Sequence, residues 1–137
     1  MGSVHATITL KNVKDMGYAK DGYIKESDIR SVTVSALVDT GAMTLCISED
    51  VRQELGLGIE GIRPIRVANG ERVNSQITEP VEIIWKDRYT TCRPIVIPGA
   101  EFTLLGLIPL EDMDLTVNPV SRELAGIHGN EWLSMVV

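Results

Sequence analysis

The segment "SALVDTGAMTLCIS", residues 35–48, places one carboxylate within an apolar stretch of the chain. An apolar run leads into Asp39, Thr40 and Gly41, and apolar residues resume directly after them. An ordinary surface turn built on Asp-x-Gly has polar flanks. In one interpretation Asp39 caps a turn and Gly41 supplies a positive φ. In the other, the Thr40 hydroxyl and the backbone N–H groups near Gly41 hold the carboxylate of Asp39 in place for chemistry.

A single carboxylate cannot act at once as the general acid and the general base of a hydrolysis. Two carboxylates that share one proton can hydrolyse an unactivated bond, because one takes a proton from water while the other donates to the substrate carbonyl. The sequence contains no second Asp-Ser-Gly or Asp-Thr-Gly. If Asp39 works in such a pair, its partner is the Asp39 of a second copy, related by a two-fold axis.

Length, composition and net charge argue against several classes of function. The 137 residues predict a single domain over 1–137, with 44% hydrophobic and 23% charged residues. A net charge of −6 argues against nucleic-acid binding. No apolar run reaches the roughly 18 residues of a membrane span, and the start has no signal-peptide pattern. Two cysteines suit neither a disulfide framework nor a metal site. We therefore expect a cytoplasmic protein without cofactor, metal, nucleic acid or membrane partner.

Hydrophobic periodicity predicts a mainly β chain with one or two short helices. The polar stretch 11–28 is predicted as a loop excursion or wide hairpin loop. The predicted elements are strands at 4–10 and 29–38, a helix within 48–58 capped by Ser48, hairpins turning at 69–70 and 86–88, a strand ending at Gly106, a helix at Pro109–Asp114 and a final β segment turning near 118–119. Short helices placed directly after apolar strands favour a closed or nearly closed β-barrel-like domain.

Three segments in this order resemble the retropepsin-like aspartic proteases, the single-domain homodimeric relatives of pepsin. They are "ALVDTGA", the Asn-Gly hairpin and "TLLGLIPLEDMDLTVNP", and the resemblance spans roughly 4–127. It implies a closed, barrel-like acid protease fold, a homodimer, a peptide or protein substrate and aspartic endopeptidase activity. The resemblance also implies a role for ten residues: Asp39 as the catalytic carboxylate; Thr40, Gly41 and Ala42 as support of its loop; Ala68, Asn69 and Gly70 as the flap over the substrate; and Leu104, Leu105 and Gly106 as the structure beneath the loop.

Two departures from the family pattern leave alternatives open. The flap tip, "VANGERV", lacks a glycine-rich run, so a non-catalytic module that binds peptides by strand addition is the alternative function. The end, "HGNEWLSMVV", is an extension over 128–137 with five large apolar residues. We predict that it forms a strand of the dimer interface, and packing on its own subunit is the alternative.

The remaining candidate residues receive structural interpretations. His5 and His128 are far apart and near neither motif, which predicts surface or hydrogen-bonded histidines. No histidine is placed to activate Cys46, so a free thiol is expected there. Glu111, Asp112 and Asp114 are predicted to form a solvated helix face.

Overall fold

The computed structural model describes residues 3–129. Eleven strands, three α-helices and one 3-10 helix (Glu26–Asp28) lie within this range. The strands are β1 (His5–Asn12), β2 (Ser31–Val38), β3 (Leu45–Ile47), β4 (Ile59–Arg66), β5 (Arg72–Thr78), β6 (Val81–Trp85), β7 (Arg88–Cys92), β8 (Ile95–Val96), β9 (Leu104–Leu105), β10 (Leu115–Asn118) and β11 (Glu123–Gly126). The helices are α1 (Val13–Lys20), α2 (Glu49–Leu55) and α3 (Leu107–Asp112). The prediction of a mainly β chain is confirmed.

Nine strands form one sheet in the order β4-β5-β8-β3-β9-β2-β1-β6-β7, and β10 pairs with β11 in a second, two-stranded sheet. The order of the large sheet is linear, with β4 and β7 at its two ends. Closure of this sheet into a barrel therefore stays a prediction. The predicted division into one domain over 1–137 also stays a prediction, and the extension predicted at 128–137 lies almost wholly outside the described residues.

The core lies against the inner face of β1 and its neighbours. Alternate residues of β1 are buried, including Ile8 and Leu10, as the sequence alternation of 4–10 predicts. Leu45, Ile47 and Leu105 of the central strands are fully buried in the same cluster. The short strands β3 and β9 are thus anchored by apolar burial as well as by backbone pairing.

The prediction of a loop over 11–28 is wrong, because α1 forms there. Helix α1 begins where the buried side chain of Asn12 accepts from the N–H of Asp15 at 3.0 Å. The Asn12 amide also donates to the carbonyl of Leu55 at 2.8 Å, which ties α1 to α2. Asp15 in turn forms an ion pair with Arg30. The helix depends on these tertiary contacts, and Gly17 in its interior weakens the local helical signal.

Helix α2 forms as predicted, and α3 is shifted. Ser48 caps α2 by accepting from Val51 N–H at 3.2 Å, and Gly56 ends it in the left-handed conformation. Helix α3 begins at Leu107, two residues before the predicted start at Pro109. Proline is tolerated in a first helical turn, because the N–H groups there have no partner within the helix.

Both predicted hairpins are confirmed. Strands β4 and β5 pair on either side of the Asn69-Gly70 turn, and β6 and β7 pair around the turn that follows Trp85. The final β segment is confirmed as β10 and β11. None of the helices in the described part of the chain has the length and apolar character of a membrane span.

Candidate active site

Asp39 lies directly after β2, where that strand runs parallel to β9. Its N–H donates to the carbonyl of Leu105, with an N–O distance of 3.0 Å. The N–H of Val38 donates to the carbonyl of Val4 at 2.8 Å. Backbone bonds therefore hold this end of β2 from both sides, and the partly buried side chain of Asp39 leaves the sheet from a rigid base.

The loop after Asp39 folds back on its carboxylate. The N–H of Gly41 donates to Oδ1 of Asp39 at 2.9 Å, and the N–H of Ala42 donates to the Asp39 carbonyl at 3.1 Å. Asp39 thus caps its turn, as the structural interpretation expects. The positive φ that the same interpretation expects at Gly41 is wrong. A Cβ at Gly41 would lie 3.1 Å from Oδ1, so glycine here serves the close approach to the carboxylate.

The capping bond uses one oxygen of Asp39 and leaves the second available. Within residues 3–129, Oδ2 of Asp39 and the hydroxyl of Thr40 have no hydrogen-bond partner, and Asp39 forms no ion pair. Thr40 and Gly41 are exposed. The arrangement presents a carboxylate oxygen and a hydroxyl side by side at the surface of one chain.

Two of the three residues predicted to lie beneath the loop, Leu105 and Gly106, contact its backbone, and Leu104 pairs with Leu37 and Cys46 in the strands on either side. Strand β9 is inserted between β2 and β3, the two strands that the Asp39 loop connects. The N–H of Leu107 donates to the carbonyl of Ala42 at 2.8 Å. A Cβ at Gly106 would lie 2.3 Å from the carbonyl oxygen of Thr44 and 2.6 Å from that of Ala42. Glycine is required at 106 because the backbones of the loop and of the α3 start touch there.

Sequence reasoning missed an exposed apolar rim around the loop. Met43 is 62% exposed, and its carbonyl accepts from the N–H of Ile108, which is 51% exposed. Phe102, also 51% exposed, precedes the Thr103 carbonyl that accepts from Leu37 of β2. Apolar residues directly after Asp-Thr-Gly were a signal for such a surface, but their exposure depends on the tertiary structure.

The predicted flap is the tip of the β4–β5 hairpin. The N–H of Gly70 donates to the carbonyl of Val67, and the N–H of Glu71 donates to the side chain of Asn69, both at 2.9 Å. Gly70 has a positive φ, and Ala68, Asn69 and Gly70 are all exposed. Within residues 3–129 no hydrogen bond joins this tip to the Asp39 loop. The two regions are connected through the sheet, since β5 pairs with β8 and β8 with β3.

The two cysteines are free and poorly suited to nucleophilic chemistry. Burial raises the pKa of the Cys46 thiol to about 11, and the nearby Asp39 carboxylate adds to the rise. Burial likewise raises the pKa of Cys92 to about 11. Because the thiolate is the reactive form, neither cysteine is suited to act as a nucleophile at neutral pH.

The acidic cluster near α3 matches its interpretation as a solvated helix face only in part: Glu111 and Asp112 are exposed residues of α3, whereas Asp114 is partly buried and lies outside the helix. Asp112 accepts from the hydroxyl of Thr90, and Asp114 lies beyond the end of α3. Oδ2 of Asp114 lies 2.7 Å from Nδ1 of His128 and 3.8 Å from the guanidinium of Arg88. These contacts assign both acids to the packing of β7 against the C-terminal strands.

Comparison with known proteins gives one family and one fold. Residues 26–101, more than half of the chain, match the family model described as Aspartyl protease. This range includes Asp39 and the flap hairpin and ends before β9. Among curated proteins, none matches the sequence.

Two similar solved structures have the same fold. The retroviral protease-like domain of Ddi1 from Leishmania major is 16% identical, with a TM-score of 0.57 over 91% of this chain and 88% of that one. A retropepsin-like aspartic protease from Rickettsia conorii is 15% identical, with a TM-score of 0.53 over 85% of this chain and 77% of that one. At these identities the likeness shows the fold alone.

Proposed function

The chain belongs to the aspartyl protease family and has a retropepsin-like fold, and from that premise we propose that it is an aspartic endopeptidase that acts as a homodimer. The observation that carries the proposal is the Asp39 loop. One oxygen of the carboxylate is oriented by the N–H of Gly41, and the other has no partner within residues 3–129. A half-site of this kind becomes complete when a second copy brings its own Asp39 across a two-fold axis.

In the proposed mechanism the two Asp39 carboxyl groups share one proton. The ionised group takes a proton from a water molecule, whose oxygen attacks the carbonyl carbon of the peptide bond. The protonated group donates to the carbonyl oxygen. The carboxyl group that took the proton from water then donates it to the amide nitrogen, and the C–N bond breaks. A hydroxyl of the tetrahedral intermediate returns its proton to the other carboxylate, which restores the shared proton.

The residues around Asp39 receive supporting roles in this proposal. The hydroxyl of Thr40, which has no partner within residues 3–129, would donate to the loop of the second copy. Gly106 lets α3 begin directly against the loop. The flap tip at Ala68, Asn69 and Gly70 closes over the substrate and excludes water. Closure of the sheet into a barrel and a dimer strand formed by 128–137 belong to the same proposal.

A non-catalytic peptide-binding or assembly module is the second candidate, and one observation favours it. Among the described strands, β4 lies at the end of the sheet order and pairs only with β5. An unpaired strand edge can add an extended peptide by strand addition, without any catalytic carboxylate. We also propose a cytoplasmic location, because both cysteines are free thiols, as a reducing compartment keeps them.

Digestion of a peptide library, together with sedimentation of the same sample, tests the proposal. We expect cleavage that is strongest at acidic pH, that a pepstatin-type inhibitor blocks, and that is carried by a dimer. An equal mixture of wild-type and Asp39→Asn chains, refolded together, is expected to have about a quarter of the activity of the same total amount of wild-type protein, because only a quarter of the dimers have both carboxylates. Retention of about half, or a monomer that cleaves, would contradict the shared site.

A further inference from the structure

The flap hairpin is basic, although the protein as a whole is acidic. The hairpin of β4 and β5, residues 59–78, contains three arginines and two acids, Glu60 and Glu71, and has a net positive charge, whereas the whole chain has a net charge of −6. The bases are Arg63, Arg66 and Arg72, and all three are exposed. A concentration of positive charge at the one hairpin that the proposed function places over the substrate requires an explanation.

The register places two of these arginines side by side. Arg66 of β4 and Arg72 of β5 are direct cross-strand partners next to the turn. Cross-strand partners project from the same face of a sheet, so the two guanidinium groups share one face. Arg66 donates to the carbonyl of Gly70 at 3.1 Å, which draws its side chain toward the tip. Like charges placed directly opposite one another are destabilising in the absence of an anion.

Four of the other six arginines have an acidic partner. Arg30, Arg52, Arg88 and Arg93 each have a carboxylate within 4.0 Å, contributed by Asp15, Glu49, Asp114 and Glu60 respectively. Within residues 3–129, Arg63, Arg66, Arg72 and Arg122 form no ion pair, and Glu71 neutralises neither Arg66 nor Arg72. What distinguishes Arg66 and Arg72 is that two unpaired guanidinium groups lie directly opposite each other, next to the hairpin turn.

We propose that Arg66 and Arg72 together bind an aspartate or glutamate side chain of the peptide that lies against the flap, so that the enzyme prefers acidic substrates. This inference rests on the proposed function, since it is the peptide that brings the carboxylate to the hairpin. Guanidinium groups bind carboxylates through two parallel N–H···O bonds, and two guanidinium groups on one face offer donors from both sides. The bound carboxylate also removes the repulsion between the two arginines.

Matched peptides test the preference. The substrates are pairs of fluorogenic octapeptides that are identical except that one carries Glu and the other Gln at a single position, and each position is tested in turn. The preference is the kcat/KM of the Glu peptide divided by that of the Gln peptide. At low salt we expect wild type to favour Glu at one position by about 10-fold, and the ratio to fall as NaCl screens the charges. The double variant Arg66→Gln/Arg72→Gln is expected to have a ratio near 1. The variant Arg66→Lys/Arg72→Lys is expected to have an intermediate ratio, because lysine keeps the positive charge but cannot donate two parallel N–H bonds to one carboxylate.

The control is Arg63→Gln, since Arg63 pairs with Ser75 and lies on the opposite face of the hairpin. It is expected to keep the wild-type ratio. A wild type that cleaves without preferring Glu, a double variant that keeps the preference, or an equal loss in Arg63→Gln would overturn the inference while the proposed function stands.

A binding measurement separates this inference from the failure of catalysis. Fluorescein-labelled Glu and Gln octapeptides are titrated with Asp39→Asn protein, and affinity is read by anisotropy. Tighter binding of the Glu peptide, lost in Asp39→Asn combined with Arg66→Gln/Arg72→Gln, supports the arginine pair even if wild type cleaves nothing. Equal affinities for both peptides overturn it.

Discussion

Two aspartates lie at opposite ends of the same strand pair and have opposite surroundings. Strands β1 and β2 are antiparallel, with Asp15 just beyond the end of β1 and Asp39 just beyond the end of β2. Asp15 is 4% exposed and accepts three bonds from Arg30, from its N–H at 3.0 Å, its Nε at 2.8 Å and its Nη2 at 2.9 Å. Asp39 accepts one side-chain bond, from the N–H of Gly41.

The difference agrees with the proposal, in which Asp15 is a structural carboxylate and Asp39 a catalytic one. The guanidinium of Arg30 holds the pKa of Asp15 below its usual range, and its oxygens are occupied, so this side chain serves α1 and its junction with β2. Asp39 is oriented by the backbone and keeps an oxygen free of partners within residues 3–129. An aspartate that has only a backbone donor and sits at a rigid strand end is suited to bind water or substrate.

The largest effect is expected from a substitution of Asp39, the proposed catalytic carboxylate. Asp39→Asn is expected to lower cleavage by at least about 100-fold, because an amide cannot accept a proton from water. The free energy of unfolding should change by less than about 0.5 kcal/mol, since the residue forms no ion pair within residues 3–129. Peptide cleavage assays and urea titrations measure the two effects. Full cleavage by this variant would contradict the role of Asp39.

The second prediction concerns the rigid base beneath Asp39. Gly106→Ala is expected to destabilise the fold by about 1–3 kcal/mol and to reduce activity, because the new Cβ would meet two backbone carbonyls of the loop within 2.6 Å. Urea unfolding measures the change. Gly61→Ala in β4 is the matched control, since a Cβ there meets nothing within 4 Å. Equal stability of the two variants would show that the loop can move away from α3.

The third prediction addresses the structural aspartate. Asp15→Asn is expected to lower the free energy of unfolding by about 1–2 kcal/mol at neutral pH, because the charge-assisted bonds to Arg30 weaken while nearly half of that side chain is exposed to solvent. Activity per folded molecule should be unchanged. A loss of activity greater than the loss of folded protein would contradict a purely structural role for Asp15.

The difference in unfolding free energy between wild type and Asp15→Asn is also expected to depend on pH. Since the folded-state pKa of Asp15 is lowered, its stabilising contribution is fully present above the pKa of the unfolded chain, about 3.9, and is lost as pH falls through the folded-state pKa. The difference in unfolding free energy between wild type and Asp15→Asn should therefore be largest near neutral pH and shrink below about pH 4. Urea titrations at several pH values measure it. A difference that grows on acidification would have the wrong sign.

The smallest expected effect is a gain in stability next to Asp15. Gly17→Ala is expected to stabilise the protein by about 0.5–1 kcal/mol, because alanine favours the helix and a Cβ at 17 meets nothing within 4 Å. Thermal unfolding measures it, and cleavage should not change. Destabilisation by this substitution would mean that α1 depends on a backbone geometry that alanine does not adopt.

Much of the fold was predictable because its signals are local. The cap at Ser48, the left-handed Gly56 and the Asn69-Gly70 turn each act within a few residues, and the structure has all three. Helix α1 was missed because Asn12 and Asp15 stabilise it through partners at 55 and 30, which no local pattern indicates.

The site divides in the same way. Asp39 was found from its own segment, since Asp-Thr-Gly within an apolar run is a local pattern. The exposure of Met43, Phe102 and Ile108 around it and the cross-strand position of Arg66 and Arg72 depend on register and packing. The roles predicted for the other site residues stay predictions.

Local sequence patterns were enough to predict a mainly β chain with a carboxylate at the end of an apolar strand. Hydrophobic periodicity, helix caps and turn residues act over short distances, so they can be read from neighbouring residues. Only the tertiary structure decided that β9 enters between β2 and β3 and that Gly106 lies against the loop of Asp39. Some sixty residues separate these segments, and the backbone hydrogen bonds that join them carry no side-chain signature. Such contacts set the surroundings of a carboxylate, as Arg30 does for Asp15 and the N–H of Gly41 does for Asp39.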